Sequence, residues 1–185
     1  GDLTEDLARR DFTINAMAWE PEGVADPFGG RGDLEGRLVR CVGDPDRRFS
    51  EDALRPLRAL RLAAQLDFSL EERTAAALRR HIPELRYVAW ERITGEFLRL
   101  LCAPAAARVL LEFPQVLAVF LPELEAQVGF DQCNPHHSFD LYTHTARTVA
   151  GVPQEAPLRL AALLHDIAKP ACFTKDEDGI GHFYG

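Results

Sequence analysis

Two groups of side chains in this sequence have types and spacings suited to chemistry. The first is rich in arginine. RRDFTINA (9–16), DPFGGRGDL (26–34) and EDALRPLRALR (51–61) follow one another in the first third of the chain. Asp52 and Arg55 stand three apart in a helical pattern, so both are expected to reach one ligand from one helix. Arg55, Arg58 and Arg61 recur every three residues and fan over roughly 120° of helix surface. Arginine's planar fork suits phosphate and carboxylate. The second group is His144 on a helical stretch, followed by the pair His165-Asp166 at the end of LAALLHDIAKP. Imidazole and carboxylate ligands suit a divalent first-row metal or magnesium. Taken singly, each motif also reads as a surface ion pair, a turn or a packed histidine.

The elements that must position these residues are mostly helical. Thr4 is expected to cap a short first helix. FTINAMAW and GVADPF read as a hairpin turned at PEG, GGRGDLEG as a loop with one helical turn, and RLVRCVGD as a short strand. EDALRPLRALRLAAQL reads as one amphipathic helix with Pro56 near its start. Ser69 and Glu72 form a capping-box pattern before RTAAALRRHI. WERITGEFLRLLCA, PAAARVLLEF, QVLAVFLPEL, FDLYTHTARTVAGV and LRLAALLHDIAK read as further helices, with a polar loop at DQCNPHHS. The expected fold class is mainly α with a small β portion (α+β).

Composition narrows the function classes. The 185 residues suffice for one large or two small domains, and 46% hydrophobic content permits a core. No apolar run approaches the ~18 residues of a membrane span, and GDLTEDLARRD lacks a secretory signal pattern. The four cysteines form no close pair, which favours a cytoplasmic chain with reduced thiols. A net charge of −8 excludes a uniformly basic coat. It leaves room for a local basic groove, and the balance is uneven: residues 1–111 hold 17 bases and 19 acids, whereas 112–185 hold 4 and 10.

In this order and spacing the three arginine-bearing motifs resemble the class II nucleotidyltransferases, the family of bacterial tRNA CCA-adding enzymes and poly(A) polymerases. The resemblance covers residues 5–112. It implies that Asp52 and Arg55 act as a protein template for incoming CTP and ATP. Cytosine and adenine share an amino donor beside a ring-nitrogen acceptor, which a carboxylate and a guanidinium complement, whereas guanine and uracil invert that pattern. Arg10, Arg58 and Arg61 match positions that hold the nucleotide or its phosphates. Asp11 and Asn15 belong to the same motif and read equally as local turn contacts. Asp26 with Gly29-Gly30 is implied to be a hinge between head and neck, although an ordinary turn fits as well. The partners implied are the tRNA 3′ end, CTP and ATP, without a membrane.

The family's Asp-x-Asp carboxylates, which hold the Mg2+ ions of nucleotidyl transfer, are expected before Arg9, where only eight residues stand. Asp44-Pro45-Asp46 follows the hinge motif and reads as a turn. The sequence is therefore expected to be an internal slice of a longer enzyme, inactive alone in transfer. Its expected parts are the end of the head (1–43), a helical neck (44–120) and an incomplete domain (121–185). The last of these resembles the HD-domain metal phosphohydrolases, which implies a divalent metal held by His144, His165 and Asp166. The family's distal Asp is not identifiable, since Asp176-Glu177-Asp178 comes too early. His182 resembles a further family histidine, and His136 and His137 read as loop residues with a possible phosphate role. A poly(A) polymerase, an HD phosphohydrolase acting on nucleotides or cyclic phosphates, and a noncatalytic RNA-binding relic are the alternatives.

Overall fold

A computed structural model of the chain describes residues 2–132, 139–176 and 181–183. They fall into two compact units, residues 1–100 and 101–185. His136, His137, Glu177 and Asp178 lie outside the described residues.

The first unit opens with α1 (Leu3–Ala8), capped by Asp2 rather than by Thr4, whose backbone N–H Asp2 accepts. The stretch after it is not a strand. Phe12, Thr13, Ile14 and Ala16 are all buried, without the in–out alternation of a strand that has one face in solvent. Thr13–Asn15 instead winds into a 3-10 turn. The expected hairpin forms about the PEG turn, with its first strand confined to β1 (Ala18–Glu20), paired antiparallel with β2 (Gly23–Ala25). α2 (Gly30–Glu35) follows. Asp26 accepts the Gly30 and Arg31 N–H groups at 2.7 and 3.0 Å, satisfying two free donors at its N-terminus. Gly29 takes φ 75° there, and a Cβ on Gly30 would collide with the Thr13 carbonyl. The DPFGG stretch is thus the seat that packs α2 onto the Thr13 turn. β3 (Leu38–Val39) follows.

α3 (Pro45–Glu51) starts at Asp44, whose side chain caps Arg47, so Asp44-Pro45-Asp46 opens a helix rather than forming a free turn. α4 (Arg55–Leu66) is a separate helix. The single helix expected across 51–66 breaks at Asp52, which is extended at φ −153°, ψ 108°. Pro56 accounts for the break, because a proline inside a helix clashes with the carbonyl four residues before it, here that of Asp52. Ser69 does not cap a helix. It lies in β4 (Ser69–Leu70), parallel to β3, and Glu71 caps α5 (Glu72–His81) by accepting Thr74 N–H at 2.9 Å. A 3-10 segment, Ile82–Tyr87, then leads into α6 (Trp90–Leu101). Phe12, Phe49, Leu57, Leu60, Leu78 and Leu85 form the fully buried centre of this unit.

The second unit contains α7 (Ala106–Glu112), α8 (Gln115–Ala118), α9 (Pro122–Glu125), α10 (Leu141–Gly151), α11 (Ala156–Leu164), and the antiparallel β5 (Phe173–Lys175) and β6 (Gly181–Phe183). The helix expected over QVLAVFLPEL divides because Leu121 precedes Pro122 and is driven out of helical geometry, to φ −138°. α10 packs against both α7 and α11. Tyr142 ties α10 to α7 by donating to the Leu110 carbonyl at 2.9 Å, and burial pushes its phenol well above the ordinary range. The fold class is mainly α with small β elements, as the sequence patterns indicate. No helix among the described residues is long and apolar enough to cross a membrane.

Candidate functional site

A cleft of about 580 Å³ in the first unit is lined by Arg9, Arg10, Asp11 and Asn15, by Arg55, Arg58 and Arg61 of α4, and by Glu96 and Arg99 of α6. Four of the five residues assigned to a nucleotide from the sequence therefore share one cavity. The α4 arginines are tethered. Arg55 donates to Glu51 at 2.7 Å and to the Arg48 carbonyl at 2.8 Å. Arg58 donates to Asp11 at 3.0 Å, and Asp11 also accepts its neighbour's Phe12 N–H. Arg61 donates to Glu96 at 2.6 Å and to Gln65 at 2.6 Å. Among the described residues the Arg10 side chain reaches only Asp6, at 3.4 Å on the surface.

Asp52, the fifth, does not line the cleft. Because it sits in the break between α3 and α4, it is not on one helix with Arg55, contrary to the reading from spacing. Its Oδ1 accepts Leu54 N–H at 3.1 Å and its Oδ2 accepts Arg92 Nη2 at 2.8 Å. Partial burial works against the carboxylate's charge. The Leu54 N–H, the Arg92 bond and the Arg92 and Arg58 charges outweigh it and hold the pKa below the ordinary 3.8. Two lone-pair positions of the carboxylate remain for a further donor. Glu51 is likewise held below its usual range, chiefly by the Arg55 hydrogen bond.

Sequence reasoning missed the part α6 plays. Arg92 and Glu96 lie one turn apart, and each grips a residue of the arginine-rich segment. Glu96 is 8% exposed and shares the helix face of Ile93, Phe97 and Leu100. An acid in phase with an apolar stripe was the available signal, since a buried carboxylate needs cations around it.

Asp44 and Asp46 offer no metal pair: Asp44 caps α3, and Asp46 is held by Arg80 at 2.7 Å and His81 at 3.1 Å. In the second unit the structure brings His144, His165 and Asp166 together, with one ligand atom of each within 4.8 Å of the others. His165 Nδ1 donates to the Ala162 carbonyl at 2.7 Å, which leaves its Nε2 lone pair toward the cluster. His165 Nε2 lies 3.1 Å from Asp166 Oδ2 and 3.3 Å from His144 Nε2. Lys169 Nζ also contacts Asp166 Oδ2, at 2.8 Å, and Gln132 Oε1, at 3.2 Å. Fully buried Gln127 fixes the arrangement by accepting from Thr145 of α10 and donating to the Asp166 carbonyl. His182 is 2.7 Å from Asp176, in the hairpin beyond the cluster.

Comparison with known proteins gives a consistent result. Residues 1–40 match the poly A polymerase head domain, and residues 67–128 match the probable RNA and SrmB-binding site of polymerase A. The A-adding tRNA nucleotidyltransferase of Deinococcus radiodurans is 39% identical across 99% of this chain and 45% of its own length. A CCA-adding enzyme of Geobacillus is 48% identical over 66% of this chain and 31% of its own. The crystal structure of the Bacillus stearothermophilus CCA-adding enzyme in complex with CTP superimposes with a TM-score of 0.61 at 31% identity, covering 94% of this chain and 50% of that one. The chain thus spans half or less of the length of these relatives. Head-domain and RNA-binding matches in series, on a cleft built from the arginine motifs, place this chain in the class II nucleotidyltransferase family of CCA-adding enzymes and poly(A) polymerases.

Proposed function

We propose that residues 1–185 form part of a cytoplasmic, template-independent RNA nucleotidyltransferase that adds CMP and AMP from CTP and ATP to the 3′ end of tRNA. In this reading residues 1–43 end the catalytic head, 44–120 are the base-reading neck, and 121–185 begin an HD domain. The convergence of Arg10, Arg55, Arg58 and Arg61 on one cleft, beside an Asp52 held ionised, carries the proposal. Arg58 and Arg61 are anchored before any ligand arrives, so they can hold a triphosphate without reorganising. Asp52 would accept the exocyclic amino group of cytosine or adenine, while Arg55 leaves Glu51 to donate to the ring nitrogen. Divalent metal, Mg2+ in this reading, would activate the primer hydroxyl and stabilise pyrophosphate, held by head carboxylates beyond these residues.

The test is transfer by the full-length protein to tRNA lacking its terminal CCA. Wild type should use CTP and ATP, and Asp52→Ala should accept UTP or GTP at least tenfold better relative to CTP. Unchanged selectivity would remove Asp52 as the base reader, and no transfer of either nucleotide would sink the proposal. A poly(A) polymerase would extend with ATP alone.

A second role is supported by the His144–His165–Asp166 cluster. The donor set fits a divalent metal, with both His Nε2 atoms and Asp166 as ligands, once Lys169 gives up its place on Asp166. A metal there would supply an activated water for phosphohydrolysis of nucleotides or cyclic phosphates. Calorimetric titration of the full-length protein with Mn2+ should show a site, apart from that of the head carboxylates, that His165→Ala weakens by at least tenfold. Equal binding by the variant would dismiss the site.

A further inference from the structure

We propose that Lys169 sets the metal affinity of the His144–His165–Asp166 cluster by competing with the metal for Asp166. This role rests on the metal-binding reading above and gives a part to a residue outside the ligand set. Lys169 Nζ lies 2.8 Å from Asp166 Oδ2, the oxygen that also faces His165 Nε2 at 3.1 Å and His144 Nε2 at 3.6 Å. Asp166 is the one charged ligand of the three, because imidazole binds a metal in its neutral form. An ammonium has three donors and no lone pair, so it satisfies the carboxylate but cannot itself ligate a metal. Lysine and a divalent ion therefore need the same oxygen and repel each other beside it. The Asp166 and Lys169 side chains are 13% and 24% exposed, so solvent and salt screen this competition weakly.

The fold also gives Lys169 a second place to rest. Gln132 Oε1 accepts from the same Nζ at 3.2 Å, and the Phe183 ring centroid lies 5.1 Å from it, within cation–π range. Gln132 is buried, so its amide is held in place. A cavity of about 210 Å³, lined in part by His165, Asp166, Lys169 and Phe183, gives the lysine side chain room to turn. Leaving Asp166 thus does not strand a partly buried cation, because an oxygen acceptor and an aromatic face on β6 are already beside it. Main-chain geometry keeps the choice local: Lys169 N–H donates to the Asp166 carbonyl at 3.1 Å, which holds the two residues together.

Asp166 is then contested by a cation that is covalently attached and always present. Apparent metal affinity is reduced to the fraction of molecules in which Asp166 is free of Lys169. A lysine contact populated in about nine molecules of ten raises the apparent Kd about tenfold. Removing the cation restores that factor. Removing its alternative partner, Phe183, strengthens its hold on Asp166 and costs further affinity. Both effects run through one ammonium, so they cannot be additive.

Calorimetric titration of the full-length protein with Mn2+, followed at the site that His165→Ala weakens, tests this. Lys169→Met should bind Mn2+ about tenfold more tightly than wild type, and Lys169→Arg, which keeps a cation, should stay within about threefold. Lys169→Gln is a second neutral variant and must tighten the site in the same way, should the Met variant fail to fold. Phe183→Ala should weaken binding, and Lys169→Met/Phe183→Ala should match Lys169→Met alone. A lysine that merely braces the ligands predicts the opposite sign, a weaker site once it is removed. Equal or weaker Mn2+ binding by the neutral variants overturns the proposal, as does a Phe183→Ala loss that persists in the double variant. No such site in wild type or any variant defeats the metal-binding reading itself, whereas equal affinity in wild type and Lys169→Met defeats the competition alone.

Discussion

Glu96 concentrates the electrostatics of the cleft in one side chain. It lies on the buried face of α6 and holds Arg61 at 2.6 Å, with Arg58 and Arg99 at 3.9 and 3.7 Å. Removing one partner of a buried pair costs more than the pair contributes, because the remaining charge stays poorly solvated. Arg61 retains some exposure, so Glu96→Ala is expected to cost about 2–3 kcal/mol in urea unfolding. Glu96→Gln should recover part of that loss by keeping the hydrogen bond, and an Ala variant as stable as wild type would contradict the arrangement. Asp52 makes a pH prediction at the same scale. Its folded pKa lies below 3.8, so its contribution is fully present above that value and is lost only as pH falls through the lower, folded one. With Asp52 as the base reader proposed for the full-length enzyme, selectivity for CTP over UTP should therefore stay flat from about pH 8 to 5. A loss with a midpoint near pH 6 would show that another group, one with an ordinary pKa of about 6.5, reads the base.

Individual elements owe their placement to close contacts that residue type alone does not reveal. α2 sits on the Thr13 turn because Gly30 has no side chain and Asp26 caps the helix from below. Thr13 in turn donates to buried Asp33 of α2 at 2.6 Å, and Arg40 holds the same carboxylate at 3.0 Å. Gly30→Ala would press a methyl group into backbone that cannot rotate away. The expected cost is about 1–3 kcal/mol, measurable as a lower urea midpoint with unchanged slope. Gly32→Ala is the control, since a Cβ there meets nothing within 4 Å. A Gly30 variant no weaker than that control would contradict the packing. The break at Asp52 belongs to this scale too. Pro56 is visible in the sequence, but its effect four residues upstream decides whether Asp52 and Arg55 share a helix, and they do not.

Across the whole chain, charge and chemistry divide as the sequence indicates, with the arginine cleft in residues 1–100 and the His-Asp cluster in residues 101–185. Helix positions are legible because apolar residues recur at three and four. The arginine set is legible because its motifs keep a fixed order. The caps expected at Thr4 and Ser69 fall on Asp2 and Glu71, since several neighbouring polar residues could each serve and only the chain's path selects one. The sequence by itself determined the mainly helical class, the family, and the gathering of Arg10, Arg55, Arg58 and Arg61. Only the tertiary structure decided that Asp52 faces Arg92, that Glu96 anchors the arginines, and that Lys169 occupies Asp166. Those pairings join residues 35 to 40 positions apart in two cases. They depend on which helix faces pack together, and local periodicity carries no record of the partner across the interface.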